Sequence, residues 1–352
     1  MKRALILLLF STTGCAAEVQ PVDGASVGVR EACDGRLGLS PEVLVTGIGS
    51  GSLLRAGDDA LIHISAFSGG LVQRIDRCSG ETTALTSLLH PGSGAVAGAF
   101  LYLLEPSESP DFSYLLRVPT AGGETELLTS VHGGRSLVAD ETRGVFILGR
   151  PDDDEHEASD RTLYRYDPAT SELTAVLDLL SGDATKQFSL IGVTASGVYL
   201  KESFDCGCTP GYRRFPFEGD SLLGVKGSEG AGRFAIVNDA MVLARDANPS
   251  GFGSERHEIA RVPFEGGDGE VLVPLDETDE TGIRRLDANA RAICWLAYSG
   301  TLQCTSSPEG GEVRVVDEVA EVDTPVVTAG DGVYWLRTSL SSADLDLVGA
   351  AP

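Results

Sequence analysis

From about residue 40 to the end, short apolar runs alternate with polar, glycine-rich turns. Runs of four to eight residues bounded by turn signals read as strands, and few long stretches keep the 3.6-residue period of a helix. The clearest pair is Val326-Val327-Thr328-Ala329, a turn at Gly330-Asp331, and Gly332-Val333-Tyr334-Trp335. Matching centres lie near Ile62, Tyr102, Phe146, Tyr199, Val242, Cys294 and Tyr334. A second half-unit follows most of them: an apolar residue, Arg, one residue, often Pro, a glycine-containing turn, then another apolar strand. It reads Leu115-Leu116-Arg117-Val118-Pro119-Thr120-Ala121-Gly122-Gly123, and again Ile259-Ala260-Arg261-Val262-Pro263-Phe264-Glu265-Gly266-Gly267. Tyr212-Arg213-Arg214-Phe215-Pro216-Phe217-Glu218-Gly219 is a third copy, with weaker ones at Arg74, Arg165 and near Thr305. The markers step by about 43 to 49 residues, the spacing of four-stranded propeller blades.

Seven copies of the first half stand against six of the second, so the last unit lacks its outer strand. Glu42-Val43-Leu44-Val45 is identical to Glu270-Val271-Leu272-Val273, which occupies the last-strand position of its own unit. Residues 41–46 are therefore expected to complete the blade built from about 324 to 349, leaving no open edge at the closure. The fold class expected is all-β: a seven-bladed β-propeller over residues 39–352, its ring closed by an N-terminal strand completing the last blade. Two stacked β-sandwiches are the competing architecture, and a degenerate unit around Cys206 leaves six or eight blades open. Val333-Tyr334-Trp335 together with the Arg-x-Pro-x-x-Gly-Gly segments resembles a group of uncharacterised bacterial β-propeller lipoproteins, over roughly residues 40–350. That resemblance implies an architecture and carries no activity or site residues with it.

The N-terminus reads as a signal. Met1-Lys2-Arg3 is basic and Ala4 to Phe10 is apolar, far short of the roughly 20 residues needed to span a bilayer. Gly14-Cys15 resembles a lipobox, departing from it at Thr12 where Leu is usual. Residues 1–14 are expected to be a signal peptide, Cys15 the lipidated anchor and 15–38 a tether. The product is then a membrane-anchored lipoprotein of the bacterial cell envelope, facing the periplasm or the cell surface. The competing reading is cleavage after Ala17 and a soluble secreted or periplasmic protein.

Six cysteines remain after Cys15, an even number suited to an oxidising compartment. Cys294 and Cys304 flank a turn at Ser299-Gly300 and face each other in a hairpin centred there, within bridging distance. Cys206-Gly207-Cys208 is expected to close on itself, with metal binding as its alternative, which leaves Cys33 with Cys78.

Composition changes the picture in one respect. Lys+Arg 27 against Asp+Glu 52 gives a net charge of −25. Such a surface repels phosphate backbones and anionic lipid, which excludes nucleic acid and leaves only the lipid anchor as a membrane contact. The chain carries no Gly-x-Ser-x-Gly elbow, His-Glu-x-x-His or P-loop, and the five histidines are scattered. No catalytic residue and no cofactor are expected. Asp152, Asp153, Asp154 and Glu155 form an acidic loop with hard oxygen ligands, a weak Ca²⁺ candidate, and Asp276 to Gly282 is weaker still.

Four connections exceed what a hairpin needs: Glu105 to Tyr114, Gly149 to Thr162, Lys201 to Gly211 and Arg245 to Glu258. All fall between the second and third strands of their units and should emerge on one face. Phe112, Tyr114, Phe204, Phe252, Arg256 and His257 on them are the candidate binding-face residues, because rigid scaffolds present function on loops. The leading functional expectation is a non-catalytic binding or scaffold module whose partner is an envelope protein, a glycan or a small molecule. The alternative is an envelope hydrolase or lyase with its site at the central channel. Acidic, His or Arg side chains converging there from three or more blades would favour the alternative; a channel lined by small and apolar residues would weaken it.

Overall fold

The computed structural model describes residues 37–352 apart from 58, 67–68, 91, 110, 151–161, 180–185, 205–210, 229–230, 232, 238–239, 247–256, 276–281, 319–323 and 339–344. The described residues all belong to one compact unit, Cys33–Pro352. They form strands and turns and no helix. The strands make seven four-stranded antiparallel sheets. Six are consecutive in sequence: blade 1 over 51–87, blade 2 over 93–132, blade 3 over 136–178, blade 4 over 186–224, blade 5 over 233–274 and blade 6 over 283–317. Blade 7 takes three strands from 326–350 and its fourth from Glu42–Val45, which pairs antiparallel with Leu345–Ala350. The all-β, seven-bladed architecture closed by an N-terminal strand is thus the one the repeat predicts.

The second strand of each blade explains why the repeat is legible. In Phe100–Pro106, Leu101 and Leu103 pack into the core shared with blade 1, while Tyr102 and Leu104 pack into the core shared with blade 3. Gly332–Thr338 does the same: Val333 and Trp335 face blade 6, Tyr334 and Leu336 face blade 1. A strand buried on both faces reads as a continuous apolar run instead of an alternating one. Seven such cores, each shared by two neighbouring blades, close the ring. Each fully buried large side chain contributes about 1.5–3 kcal/mol, so the seams, Trp295 and Trp335 among them, supply the main stabilising term.

The recurrent arginines sit opposite the centres of these strands: Arg74 faces Ile62, Arg117 faces Tyr102, Arg165 faces Phe146, Arg214 faces Tyr199 and Arg261 faces Val242. Arg74 meets Asp59 (3.3 Å), Arg117 meets Glu126 (2.6 Å) and Arg165 meets Asp167 (3.8 Å). They serve the blades rather than a common site. In blade 6 the same cross-strand position is Cys294 opposite Cys304, and the two form a disulfide with Cα atoms 4.1 Å apart. The sixth marker is therefore Cys304, one residue before the Thr305 that spacing suggests.

Outer strands carry a device that the period-two pattern hides. In six blades the ladder between third and outer strands slips by one residue, leaving Leu44, Leu85, Leu128, Val176, Leu272 or Val316 unpaired. Each bulged residue packs into a seam core. A bulge re-aims a side chain and adds twist, which here turns a Leu or Val inward from an otherwise exposed strand. Next to two of these bulges the following blade brings a glycine against backbone. Gly80 (φ 70°) abuts the Leu44 carbonyl and Gly310 (φ 90°) the Leu272 carbonyl, with no room for a Cβ. Leu44 and Leu272 hold the same place in the two identical Glu-Val-Leu-Val segments, so the N-terminal strand reproduces an outer strand down to its bulge and neighbour.

Candidate functional site

Strands alternate in direction within a blade, so the connections from second to third strand, and from outer strand to the next blade, emerge at one face. Of the four long connections expected there, the one in blade 2 is described throughout except Pro110. It is shorter than the sequence implies. The second strand runs to Pro106 and the third begins at Phe112, with Glu105 opposite Tyr114 and Pro106 opposite Ser113, leaving 107–111 as the loop. Phe112 and Tyr114 therefore stand on a strand.

Their exposure has a simple origin. Along Phe112–Pro119 the residues Phe112, Tyr114, Leu116 and Val118 share one side, facing blade 1, and Leu116 and Val118 fill the core between blades 1 and 2. Blade 1 ends before the row does. Leu88 is the last residue of that core from its side, and Leu89, one residue on, is 69% exposed. Phe112 and Tyr114, 44% and 40% exposed, continue the apolar row into solvent.

The result is a cleft of about 490 Å³ lined by Leu89, His90, residues 105–109, Phe112, Tyr114 and Ser130. That volume suits a small ligand or one or two side chains of a larger one. Glu105 holds the two walls together: one carboxylate oxygen accepts from the Leu89 backbone N–H and, at 3.4 Å, from that of His90. The loop is braced by Ser107 N–H to the Phe112 carbonyl (2.9 Å) and Ser107 Oγ to the Ser109 carbonyl (2.6 Å). The Phe112 ring meets His132 edge-on at 5.1 Å. The cleft is therefore braced on several sides and lined by both apolar side chains and the carboxylates of Glu105 and Glu108.

The innermost strands line the axis with mainly small and apolar residues, such as Gly94-Ala95-Val96, Leu137-Val138-Ala139 and Val326-Val327. Two carboxylates stand on them. Asp140 accepts from Thr142 and Arg143 in a tight turn. Asp287 of blade 6 accepts from Thr328 of blade 7 through its backbone N–H (2.6 Å) and Oγ1 (2.9 Å). Burial holds the Asp287 carboxyl above the usual range, opposed by these bonds and by the charge of Arg55 in blade 1. Asp287 of blade 6 is thus engaged by Thr328 of blade 7 and feels the charge of Arg55 in blade 1. Among the described residues no group of three or more His, Cys, Asp or Glu is placed to hold a metal.

Of the other residues singled out by sequence, Phe204 ends the second strand of blade 4 and His257 begins the third strand of blade 5. Phe252, Arg256, Asp152, Asp153, Asp154, Glu155, Cys15, Cys33, Cys206 and Cys208 lie outside the described residues. Cys78 is disulfide-bonded. Leu89, His90 and Ser130 were not signalled by any motif; the one cue is an apolar Leu88-Leu89 pair running into the turn residues Pro91-Gly92.

No family model matches the chain, and no curated protein does. Solved structures match it as folds. One is a prolyl endopeptidase, 15% identical with a TM-score of 0.61 over 88% of this chain; this chain spans about half of that one (51%). Another is the β-propeller domain of the Trilobed protease from Pyrococcus furiosus, described as an open velcro (12%, TM-score 0.57, 85% of this chain and 93% of that one). A third is YCF48 bound to D1 peptide (12%, TM-score 0.57, 89% and 95%). At these identities the likeness is one of fold alone.

Proposed function

We propose that this protein is a binding module of the bacterial cell envelope, exported by residues 1–14, anchored through Cys15, and engaging a peptide segment of an envelope protein at the cleft between blades 1 and 2. The observation that carries the reading is the exposure of Leu89, Phe112 and Tyr114 around one braced cleft, in a fold that buries both tryptophans. Aromatic side chains held on strands give contact area at little entropic cost. Glu105 and Glu108 in its lining favour a segment that sets a basic residue beside an apolar one. A propeller of the same fold, YCF48, binds a peptide, which is support by analogy.

In-cell crosslinking of the tagged full chain, followed by affinity capture, tests it. One envelope protein is expected near stoichiometry, and Phe112→Ser/Tyr114→Ser should cut its recovery at least about tenfold while the melting temperature holds. Recovery unaffected by the double substitution would overturn the cleft as the site. Cys15→Ala should move the protein from the membrane to the soluble fraction, and unchanged fractionation would overturn the anchor.

A further inference from the structure

The apolar row of the cleft between blades 1 and 2 does not end at Ser130. In the outer strand of blade 2 (Glu126–His132) the register sets Ser130 opposite Tyr114 and Leu127 opposite Leu116, on the side that faces blade 1. Residues three apart in a regular strand face opposite ways. Here the bulge brings them to one side: it inserts an extra residue and turns Leu128 into the core shared with blade 3. Leu127 is 61% exposed, and with half-buried Leu116 beneath it the row from Phe112 and Tyr114 continues down the rim of the seam. The far end is closed. Thr125, two residues before Leu127, donates through its hydroxyl to Thr86 Oγ1 on the outer strand of blade 1 at 2.9 Å.

Position alone does not single Leu127 out. Val43, Ala84, Ala175, Val271 and Val315 also precede a bulged residue, and all are exposed. Leu127 differs in being the one leucine among them and more exposed than the three valines, and in standing beside the exposed aromatics Phe112 and Tyr114. The dimensions then name the occupant. From Phe112 to Leu116 the row runs about 13 Å, at about 3.3 Å per strand residue. An extended chain lying along it turns every second side chain toward the floor. Two apolar side chains at alternate positions therefore cover the row, one over Phe112 and Tyr114 and the other over Leu116 and Leu127. Charge sets the remaining position. Glu105 and Glu108 line the cleft end, whereas Glu126 beside Leu127 is already paired with Arg117 at 2.6 Å. A basic residue belongs at the cleft end, and in a chain of net charge −25 an acidic segment would be repelled.

We propose that the cleft is one end of a longer groove whose second anchor is Leu127. Its occupant is an extended segment of about five residues of a partner protein, basic at one end and apolar at two alternate positions beyond. This rests on the cleft being the binding site, and it adds the length, the spacing and the second anchor.

Selection of a displayed random heptapeptide library on the purified full chain tests this, with Phe112→Ser/Tyr114→Ser, Leu127→Thr and Val271→Thr as comparison proteins. Enriched peptides should carry Lys or Arg at one end of a pair of apolar residues separated by one position. As synthetic peptides they should bind Leu127→Thr at least about fivefold more weakly than wild type, the loss expected when a leucine contact is removed. They should bind Val271→Thr, the same place on blade 5, as they bind wild type. Threonine is a good strand former, so both single variants should melt close to wild type. Peptides that need Phe112 and Tyr114 but ignore Leu127→Thr, or that lack the alternate spacing, would confine the site to the cleft and overturn the groove. Equal weakening by Leu127→Thr and Val271→Thr would also overturn it, by assigning the loss to the outer strands in general. Recovery of no peptide that depends on Phe112 and Tyr114 would overturn the cleft itself, and the groove with it.

Discussion

His63 should make the ring acid-sensitive in a narrow, calculable window. It lies on the second strand of blade 1 (Ala60–Ser65), 1% exposed, on the same side as Leu61, which packs against blade 7. Its Nδ1 is 3.5 Å from Gln73 Nε2, and among the described residues its Nε2 makes no hydrogen bond of regular geometry. Burial pushes the ring down to about 4 from an ordinary 6.5, with the Gly49 backbone pulling the other way. Between those values the unfolded chain takes up a proton that the folded ring refuses. Stability is therefore complete above pH 6.5 and is lost as pH falls toward 4. The whole difference amounts to about 3 kcal/mol, of which about 2 kcal/mol is lost between pH 7 and pH 5. Urea unfolding at both pH values, for wild type and His63→Leu, reads the effect. Wild type should lose about 2 kcal/mol more than the variant over this range. Parallel losses would mean that the folded ring protonates normally, and the reasoning from burial would be refuted.

Arg77, 3% exposed in the turn after the third strand of blade 1, donates to the Ala329 carbonyl (3.1 Å), Asp331 (2.6 Å) and the Tyr334 hydroxyl (3.4 Å) of blade 7. Arg77→Met should cost about 2–4 kcal/mol in urea unfolding, and a double-mutant cycle with Asp331→Asn should show at least about 1 kcal/mol of coupling. Purely additive losses would refute the latch. The Cys294–Cys304 bridge spans 10 residues, for which loop entropy gives about 3 kcal/mol, so reductant should lower the urea midpoint of the chain and leave a Cys294→Ala/Cys304→Ala variant less affected. Equal shifts would assign the effect to the other cysteines. Asp287, whose carboxyl is held high by burial, is penalised as pH rises through its folded value, so Asp287→Asn should be more stable than wild type at pH 7, with the gap closing in acid. A variant that is weaker at pH 7 would show that the Thr328 bonds outweigh desolvation.

Blade number and closure were legible in the sequence because the second strand of every blade is buried on both sides and writes its apolar run plainly, as in Val145-Phe146-Ile147-Leu148. The outer strands were legible only where two of them happen to be identical. Their bulged residues break the alternation that marks a half-buried strand, so Leu44 and Leu272 face inward where period-two reading turns them out. The cleft was half legible. Phe112 and Tyr114 stand out as aromatics near a turn, but Leu89 and Glu105 matter through a backbone bond between two blades, which no spacing encodes.

Closure rests on more than the four-residue strand Glu42–Val45. Flanking backbone continues it on both sides: Ala351 N–H donates to the Gly38 carbonyl at 2.9 Å and Ile48 N–H to the Leu345 carbonyl at 2.8 Å. Asp346 accepts from Gly47 N–H at 2.9 Å, and Arg314 of blade 6 donates to the carbonyls of both Leu39 and Ala351. Leu37, Leu44, Val45 and Ile48 then pack into the blade 7–blade 1 core, which Arg77 latches from the other side. The two ends of the propeller are thus held by backbone, ionic and apolar terms that fail under different conditions: His63 responds to acid, Arg77–Asp331 to charge removal, and the apolar seam to denaturant. The proposed cleft lies on another seam, between blades 1 and 2. A perturbation confined to the latch should therefore lower stability first, and alter binding at the cleft only at denaturant concentrations where the ring itself opens.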